Sequence, residues 1–228
     1  MVSAYLINLE AQKSRRIISL GSWPFPEIEL KVVPAIDQAN LSPTFVTPGV
    51  AAIWESHKKA MIDFLNSGEE YAIILEDDFQ FINMIGFREA MDNAVKNQID
   101  FLQFGFLITG LDVLLAKHHK NCEYRVFRIA GLLLNAIGIK PSRLRFVEAA
   151  NYPKTLIPFQ ILPGAHAYLI SRRLAKAIVD STKEQFLAAD NFFMSLAPMR
   201  TFKFARAIQS TVGQRKISST INDRFKNL

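Results

Sequence analysis

Three consecutive acidic residues, Glu76, Asp77 and Asp78, follow an apolar run in the segment YAIILEDDF. A continuous apolar run predicts a strand that is covered on both faces, and ligands of open α/β sheets bind beyond the carboxyl ends of such strands. Alternate side chains of an extended backbone share a face, so Glu76 and Asp78 should point one way and Asp77 the other. Two carboxylates on one face are suited to a hard divalent cation, Mg²⁺ or Mn²⁺, that also binds the oxygens of a diphosphate.

The same three acids have a simpler interpretation. Acidic residues commonly cap helices and form solvated turns after strands. The triplet alone leaves both interpretations open, so the elements that would position it have to be considered.

Strands and helices alternate along the first half of the chain. Apolar runs predict strands at 3–10, 30–37, 71–75 and 99–108. Helices are predicted at 11–20, between a Thr47 cap and a Gly68 stop, and at 86–98. This alternation predicts an α/β fold with a mostly parallel sheet and flanking helices.

The second half is less regular. Residues 164–171 predict a strand that leads into a helix capped by Ser171. Residues 201–209 predict a half-buried strand with one shared face formed by Phe202, Phe204, Arg206 and Ile208. No clear period is found in 110–160, which we interpret as a variable lid or an acceptor-side insertion.

Composition limits the classes of function. The 228 residues, half of them hydrophobic, predict one globular domain. The net charge of +6 is concentrated in 117–145 and 200–226, and such stretches suit a diphosphate or an anionic lipid surface. Nucleic acid ranks last as a partner, because no zinc-finger spacing, aromatic RNA-binding motif or helix-turn-helix is found. The single cysteine, Cys122, excludes an intrachain disulfide framework and is interpreted as a packing residue.

Two further expectations concern location and assembly. No apolar run is long enough to span a bilayer, and the opening MVSAYLINLE lacks the layout of a signal peptide. We therefore expect a cytoplasmic protein, with peripheral contact to a membrane left open. The oligomeric state is also open, because the 18 phenylalanines fit either a crowded core or an apolar surface patch.

Four blocks of the chain resemble glycosyltransferase family 25, which includes the bacterial lipopolysaccharide galactosyl- and glucosyltransferases and their collagen-modifying relatives. In the family's order, the blocks are YLINLEAQKSRR, PAID, the helix with its Ser-His pair that runs into YAIILEDDF, and GAHAYLISRRLAKAI with ADNFF and AIQSTVGQRKISSTI. Together they cover 1–85 and 163–221. Their order and spacing make the combination more specific than any single block.

The resemblance implies a GT-A type fold, a UDP-sugar donor, a saccharide acceptor, a Mn²⁺ or Mg²⁺ ion and inversion at the sugar. It divides the single domain into a nucleotide- and metal-binding half (1–105), a variable acceptor-side region (106–162) and a C-terminal half (163–228). Glu76 and Asp78 are then the expected metal ligands, and Asp77 contacts the sugar or caps a helix.

Inversion requires a carboxylate that removes the proton of the acceptor hydroxyl. Asp190 stands where the family carries an acid after the GAHAYLIS unit, so it is the expected base. A helix N-cap is its competing role. Asp112 and Glu148, both from the unmatched region, are the fallback bases.

The expected donor-binding residues come from the matched blocks. Asn8 and Asp37 follow the first two strands, where the base and ribose would bind, although both residue types also form turns. Arginine forks suit phosphate oxygens, and no more than one of Arg15 and Arg16 is expected to bind the diphosphate. His57 would support the metal-binding strand, with a core role as the alternative.

The remaining donor-site candidates lie in the C-terminal blocks. His166 follows Gly164 and would contact the donor sugar or hydrogen-bond within the core. Gln209, Ser210 and Ser219 are weaker candidates near the diphosphate.

The chain also departs from the family. The helix block of the family begins Gly-Glu-X-Gly-Cys, whereas Gly49 is followed here by Val50, and Ala52 and Ile53 stand at the last two positions. A substrate contact of the missing Glu would be lost. A catalytically inactive nucleotide- or glycan-binding module on the same fold is therefore the alternative function.

Overall fold

The computed structural model describes residues 2–41, 46–107, 111–136, 152–181, 187–199 and 201–215. The strands in these ranges are β1 (Val2–Asn8), β2 (Leu30–Pro34), β3 (Tyr71–Glu76), β4 (Phe79–Phe81), β5 (Phe101–Gln103), β6 (Leu156–Pro158), β7 (Ala167–Ser171), β8 (Phe204–Ala207) and β9 (Val212–Gln214). The α-helices are α1 (Lys13–Gly21), α2 (Pro48–Leu65), α3 (Met84–Lys96), α4 (Leu111–Ala136), α5 (Arg172–Ser181) and α6 (Ala189–Leu196).

Seven strands form one sheet in the order β2-β1-β3-β7-β5-β8-β6. Five of them run in one direction, while β7 is antiparallel to both β3 and β5, and β6 is antiparallel to β8. β4 and β9 pair separately as a short antiparallel ribbon. The predicted α/β fold with a mostly parallel sheet and flanking helices is therefore confirmed.

Both faces of the central sheet are buried, which explains the unbroken apolar run of β3. Ile73 and Leu75 pack in the core that contains Phe87 of α3. Ala72 and Ile74 point the other way, into the core that contains Trp54 of α2. A strand between two such cores requires apolar side chains at every position. Polar residues can begin only where the strand is no longer covered by both cores.

Several local predictions are corrected by the structure. The strand predicted at 99–108 is confined to β5, Phe101–Gln103. The half-buried strand predicted at 201–209 is wrong in its burial, because all four residues of β8 are buried, Arg206 included. Thr47 occupies the N-cap position of α2 but makes no side-chain capping bond. Ser171 caps α5 as predicted, since its Oγ accepts a hydrogen bond from the backbone N–H of Leu174 at 3.2 Å.

The region without a clear period, 110–160, contains the longest helix described, α4, followed later by β6. Glu148 and Ser219 lie outside the described residues, and of Asp112 only the backbone is described. Within the described ranges, every helix is too short or too polar to cross a bilayer.

Candidate functional site

Asp77 follows β3 and is bound by residues of β1 and α1. Its Oδ2 accepts a hydrogen bond from Nδ2 of Asn8 at 2.6 Å, and its Oδ1 lies 3.6 Å from Nη1 of Arg15. The hydroxyl of Ser19 donates to its backbone carbonyl at 2.6 Å. Burial nevertheless raises the pKa of Asp77, and Glu76 adds to the rise, while Asn8 and Arg15 oppose it. Asn8, Arg15 and Asp77 therefore form one polar cluster beyond the parallel strands.

Glu76 is the last residue of β3 and faces α2. Its Oε1 lies 3.4 Å from Nε2 of His57, and Nδ1 of that imidazole lies 2.9 Å from the hydroxyl of Tyr168. On its other side, Nε2 of Gln214 donates to Oε2 of Glu76 at 3.4 Å. A tautomer with the proton on Nε2 lets Tyr168 donate to His57 and presents an N–H to Glu76. His57 is almost fully buried and approaches Glu76 from the core side, but its Nε2 makes no hydrogen bond among the described residues.

Asp78 carries a carboxyl group with a strongly raised pKa. Burial, followed by repulsion from Glu76 and Asp77, raises its pKa to about 7, and Arg15 only partly offsets this rise. Its Oδ1 is buried without a hydrogen-bond partner among the described residues. Its backbone carbonyl accepts a hydrogen bond from the N–H of Arg215 at 2.7 Å, which fixes this turn against the end of β9. A buried carboxylate oxygen with unmet bonding capacity is suited to a cation.

Asp190 lies in the first turn of α6, across a cleft from Glu76. It is not the N-cap, which is Ala188. Its Oδ2 accepts a hydrogen bond from the N–H of Gly164 at 3.2 Å, and its Oδ1 accepts one from Asn191 at 2.9 Å. The cleft has a volume of about 260 Å³ and is lined by Val50, Ile53, Glu76, Leu107, Gly164, Ala165, Ala188, Ala189, Asp190, Asn191 and Gln214. Two carboxylates 114 positions apart in the chain thus face one space.

His166 lies beneath the site, inside the core, and is not exposed at the surface of the site. Its imidazole is buried, and burial lowers its pKa. Its backbone carbonyl accepts a hydrogen bond from the N–H of Glu76 at 2.9 Å, which continues the β3–β7 pairing by one residue. A Cβ at Gly105 would lie only 2.2 Å from Nε2 of His166, so no other residue fits at that position. Gly164, at φ +104°, adopts a backbone conformation that favours glycine.

Two predicted binding residues lie away from the cluster. Arg16 points outward and forms an ion pair with Glu10 at 3.3 Å, so of the two arginines only Arg15 reaches the acids. Asp37 is exposed, and its side chain accepts a hydrogen bond from the N–H of Ala39 at the start of a short 3₁₀ turn. The turn-forming role that the sequence left open for Asp37 is the one observed.

Glu76 and Asp78 supply two carboxylates, which are fewer ligands than a complete metal cage. Within the described ranges, no group of three or more His, Cys, Asp and Glu side chains is arranged to hold a metal ion. Mg²⁺ and Mn²⁺ sites of nucleotide enzymes commonly use one or two carboxylates, with water and phosphate oxygens completing the coordination. Glu76 and Asp78 fit that donor chemistry.

Four residues of the site were missed from the sequence. They are Ser19, Tyr168, Gln214 and Arg215. Arg215 also donates to the hydroxyl of Ser22 at 2.8 Å and packs over the ring of Phe79. Tyr168, Gln214 and Arg215 had a signal, because they fall within the C-terminal blocks that resemble the glycosyltransferase family, whereas Ser19 had none.

Comparison with known proteins adds little to this geometry. No family model and no curated protein matches the chain. A solved structure described as "Crystal Structure of A197 from STIV" has 13% sequence identity and a TM-score of 0.44, over 93% of this chain and 83% of that one.

Proposed function

We propose that the chain is a metal-dependent inverting glycosyltransferase with a GT-A type fold, which moves a hexose from a UDP-sugar to a glycan or lipid-linked saccharide. The observation that carries the proposal is the cleft that Glu76 and Asp190 line together. The buried carboxyl group of Asp78 follows Glu76 by two residues. The resemblance of the same segments to glycosyltransferase family 25 also supports it.

In this proposal Glu76 and Asp78 hold a Mn²⁺ or Mg²⁺ ion. The fit rests on the buried, unpartnered Oδ1 of Asp78 and on an all-oxygen donor set. When bound, such an ion neutralises the charge that develops on the diphosphate leaving group. In this proposal His57 supports Glu76 from the core side, where its Nε2 lies 3.4 Å from Oε1 of Glu76.

Asp190 is the proposed general base. It removes the proton of the acceptor hydroxyl while that oxygen forms a bond to the anomeric carbon, and the bond from this carbon to the diphosphate oxygen breaks. The proton ends on Asp190, the electron pair leaves with UDP, and the sugar inverts in a single displacement. The backbone N–H groups of Gly164 and Asn191 hold the carboxylate in position.

The donor would lie along the carboxyl edge of β1 and β3. Asn8 and Arg15, which flank Asp77, are suited to hold the ribose and diphosphate, with His166 beneath the sugar. The guanidinium of Arg15 contacts Asp77, which preorganises it for phosphate oxygens. The basic stretches at 117–145 and 200–226 suit a cytoplasmic enzyme that meets its acceptor at an anionic membrane surface.

A second candidate function is a nucleotide- or glycan-binding module without catalysis. Val50 and Ile53 line the cleft at positions of the helix block where the family carries other residues, so one wall is apolar. Such a module would bind the UDP-sugar with Mn²⁺ but would not release UDP.

An assay of UDP release tests the proposed base. UDP-galactose and UDP-glucose are incubated with Mn²⁺ and a set of saccharide acceptors, and the wild-type chain is compared with Asp190→Asn. We expect release to fall by roughly 100-fold or more, with the donor-induced thermal shift retained, because only proton removal is lost.

The exposed Asp92 of α3 offers a matched control, and Asp92→Asn should leave both readouts unchanged. An Asp190→Asn chain as fast as the wild type would refute the base assignment. A wild-type chain that binds donor with Mn²⁺ and never releases UDP would favour the binding module.

A further inference from the structure

Helix α4 carries an apolar stripe that faces away from the rest of the molecule. Six exposed residues recur at intervals of 4, 3, 4, 3 and 4 along it, and we call them the α4 stripe: Leu115, His119, Cys122, Val126, Ile129 and Leu133. The four aliphatic members are each 58–63% exposed. Exposed Ala136 stands at the next position of the pattern, so the repeat spans three heptads.

The opposite side of α4 attaches it to the sheet. The side-chain oxygen of Asn121 accepts a hydrogen bond from Nη2 of Arg206 at 2.5 Å, and the Lys117 ammonium lies 5.5 Å from the ring centre of Phe106. On a helical projection Lys117 and Asn121 lie roughly 120–160° from the centre of the α4 stripe. Among the described side chains of α4, these two polar contacts therefore lie on the side opposite to the exposed apolar stripe.

The spacing identifies what such a stripe is suited to bind. Alternating intervals of three and four residues produce a narrow seam that matches another helix of the same period. Each side chain of the seam is then inserted between four side chains of the partner helix. A helix that packs on a globular core, or lies in a lipid interface, commonly has a wider apolar face. Of the residues that flank the α4 stripe on one side, His118 and Arg125 are polar and Leu132 is apolar and exposed, so the seam is narrow over its first two heptads.

We propose that the α4 stripe pairs with the same stripe of a second copy of this chain, as a parallel two-stranded coiled coil. In this register identical residues meet in layers, so Val126, Ile129 and Leu133 each pack against their counterparts. Association buries aliphatic side chains that are more than half exposed in a single copy.

Charge decides the direction of the pairing. In a parallel pair His118 of one copy lies beside Glu123 of the other, and Arg125 lies beside Ala130, so no like charges meet at these positions. In an antiparallel pair that buries the same stripe residues, Arg125 of one copy would lie opposite Arg125 of the other, and Glu123 opposite Glu123. Like charges at flanking positions are destabilising, which favours the parallel arrangement.

Sedimentation velocity at about 50 μM tests the association, since a dimer has twice the 25.8 kDa mass of one chain. Adjacent leucines provide a matched pair of variants: Leu133 belongs to the α4 stripe, whereas Leu132, 51% exposed, lies beside it. Leu133→Asp should shift the mass to that of a monomer, while Leu132→Asp should remain dimeric, with both chains folded by circular dichroism. A monomeric wild-type chain, or equal loss of dimer in both variants, would overturn the proposal.

The single cysteine reports the direction of the helices. In a parallel pair the two Cys122 residues share a layer with Cα atoms about 6 Å apart, a distance that a disulfide spans. Oxidation with copper phenanthroline should therefore give a covalent dimer that dithiothreitol reverses, and Cys122→Ser should abolish it. Val126→Cys in the Cys122→Ser background should restore the crosslink, and Leu132→Cys should not.

A dimer that crosslinks only through Leu132→Cys would contradict the assigned seam. Flotation with vesicles that contain phosphatidylserine tests the remaining alternative, in which the α4 stripe binds a lipid surface. If the wild-type chain floats with such vesicles as a monomer, and both aspartate variants lose flotation equally, the α4 stripe binds lipid and the coiled-coil proposal is wrong.

Discussion

Arg206 in β8 and Asp78 after β3 are both charged groups that the fold takes out of water, yet their surroundings differ. Burial lowers the pKa of Arg206 to about 10 and raises that of Asp78 to about 7. The guanidinium donates to Asn121, to Gln160 and to the carbonyls of Ala207 and Ile208. The Asp78 carboxyl group has a buried oxygen without a partner in the described part of the chain.

The contrast shows that burial of a charge does not by itself identify a functional site. A guanidinium has five N–H donors, and all five of those of Arg206 are used within the protein, so it stabilises the junction of α4, β6 and β8. Around Asp78 the carboxylate oxygens outnumber the hydrogen-bond donors. A cation or a substrate could supply the missing partner.

Loss of Arg206 should have the largest effect on stability. Arg206→Met leaves the oxygens of Gln160 and Asn121 without their donor, so we expect the free energy of unfolding to fall by about 4 kcal/mol. Urea unfolding at pH 7 measures this change. Arg16→Met, which breaks only an exposed ion pair with Glu10, should cost less than about 1 kcal/mol. Equal losses in the two variants would mean that the contacts of Arg206 are not structural.

The raised pKa of Asp78 should appear as a pH dependence of stability. Because the folded chain binds this proton more tightly than the unfolded chain, the group stabilises the fold below pH 4, and this contribution is lost as the pH rises to about 7. Asp78→Asn cannot ionise, so it should be the more stable protein at pH 8, by roughly 3 kcal/mol, with no advantage at pH 4. Chemical unfolding of both proteins in EDTA at the two pH values measures the difference.

A constant difference between the Asp78→Asn and wild-type chains across this range would contradict the raised pKa. Asp92→Asn, on the exposed face of α3, serves as the control and should follow the wild-type curve.

Removal of the Tyr168 hydroxyl should have the smallest effect. Tyr168→Phe deprives Nδ1 of His57 of its partner at 2.9 Å, which should cost about 1 kcal/mol. Tyr5 of β1 provides the matched comparison, because its buried hydroxyl has no hydrogen-bond partner in the described ranges, and Tyr5→Phe should not lower stability. Thermal unfolding measures both, and a larger loss in Tyr5→Phe would refute the role assigned to the Tyr168–His57 pair.

Local patterns were enough to predict the elements that carry the acids. The apolar run of β3 ends at Glu76 because the strand leaves its two cores there, and His57 lies on the buried face of α2, in the core position that was its alternative role. Both features depend on residues within one element, which is why a single sequence reveals them.

Contacts between distant segments could not be predicted in the same way. Gln214 reaches Glu76, and Gly164 reaches Asp190, only because β9 and the segment before β7 return to the same edge of the sheet. Arg206 was expected on a half-buried strand, since no local pattern reveals that Asn121 and Gln160 cover it.

The most direct test of the central claim is the dependence of UDP binding on a divalent cation. Isothermal titration calorimetry with UDP compares the wild-type, Asp78→Asn and Asp92→Asn chains, each with Mn²⁺ and with EDTA. The account predicts that Mn²⁺ strengthens UDP binding at least about 10-fold in the wild-type and Asp92→Asn chains and has no effect in Asp78→Asn. UDP binding of equal strength under all six conditions would contradict the assignment of a cation site to Glu76 and Asp78.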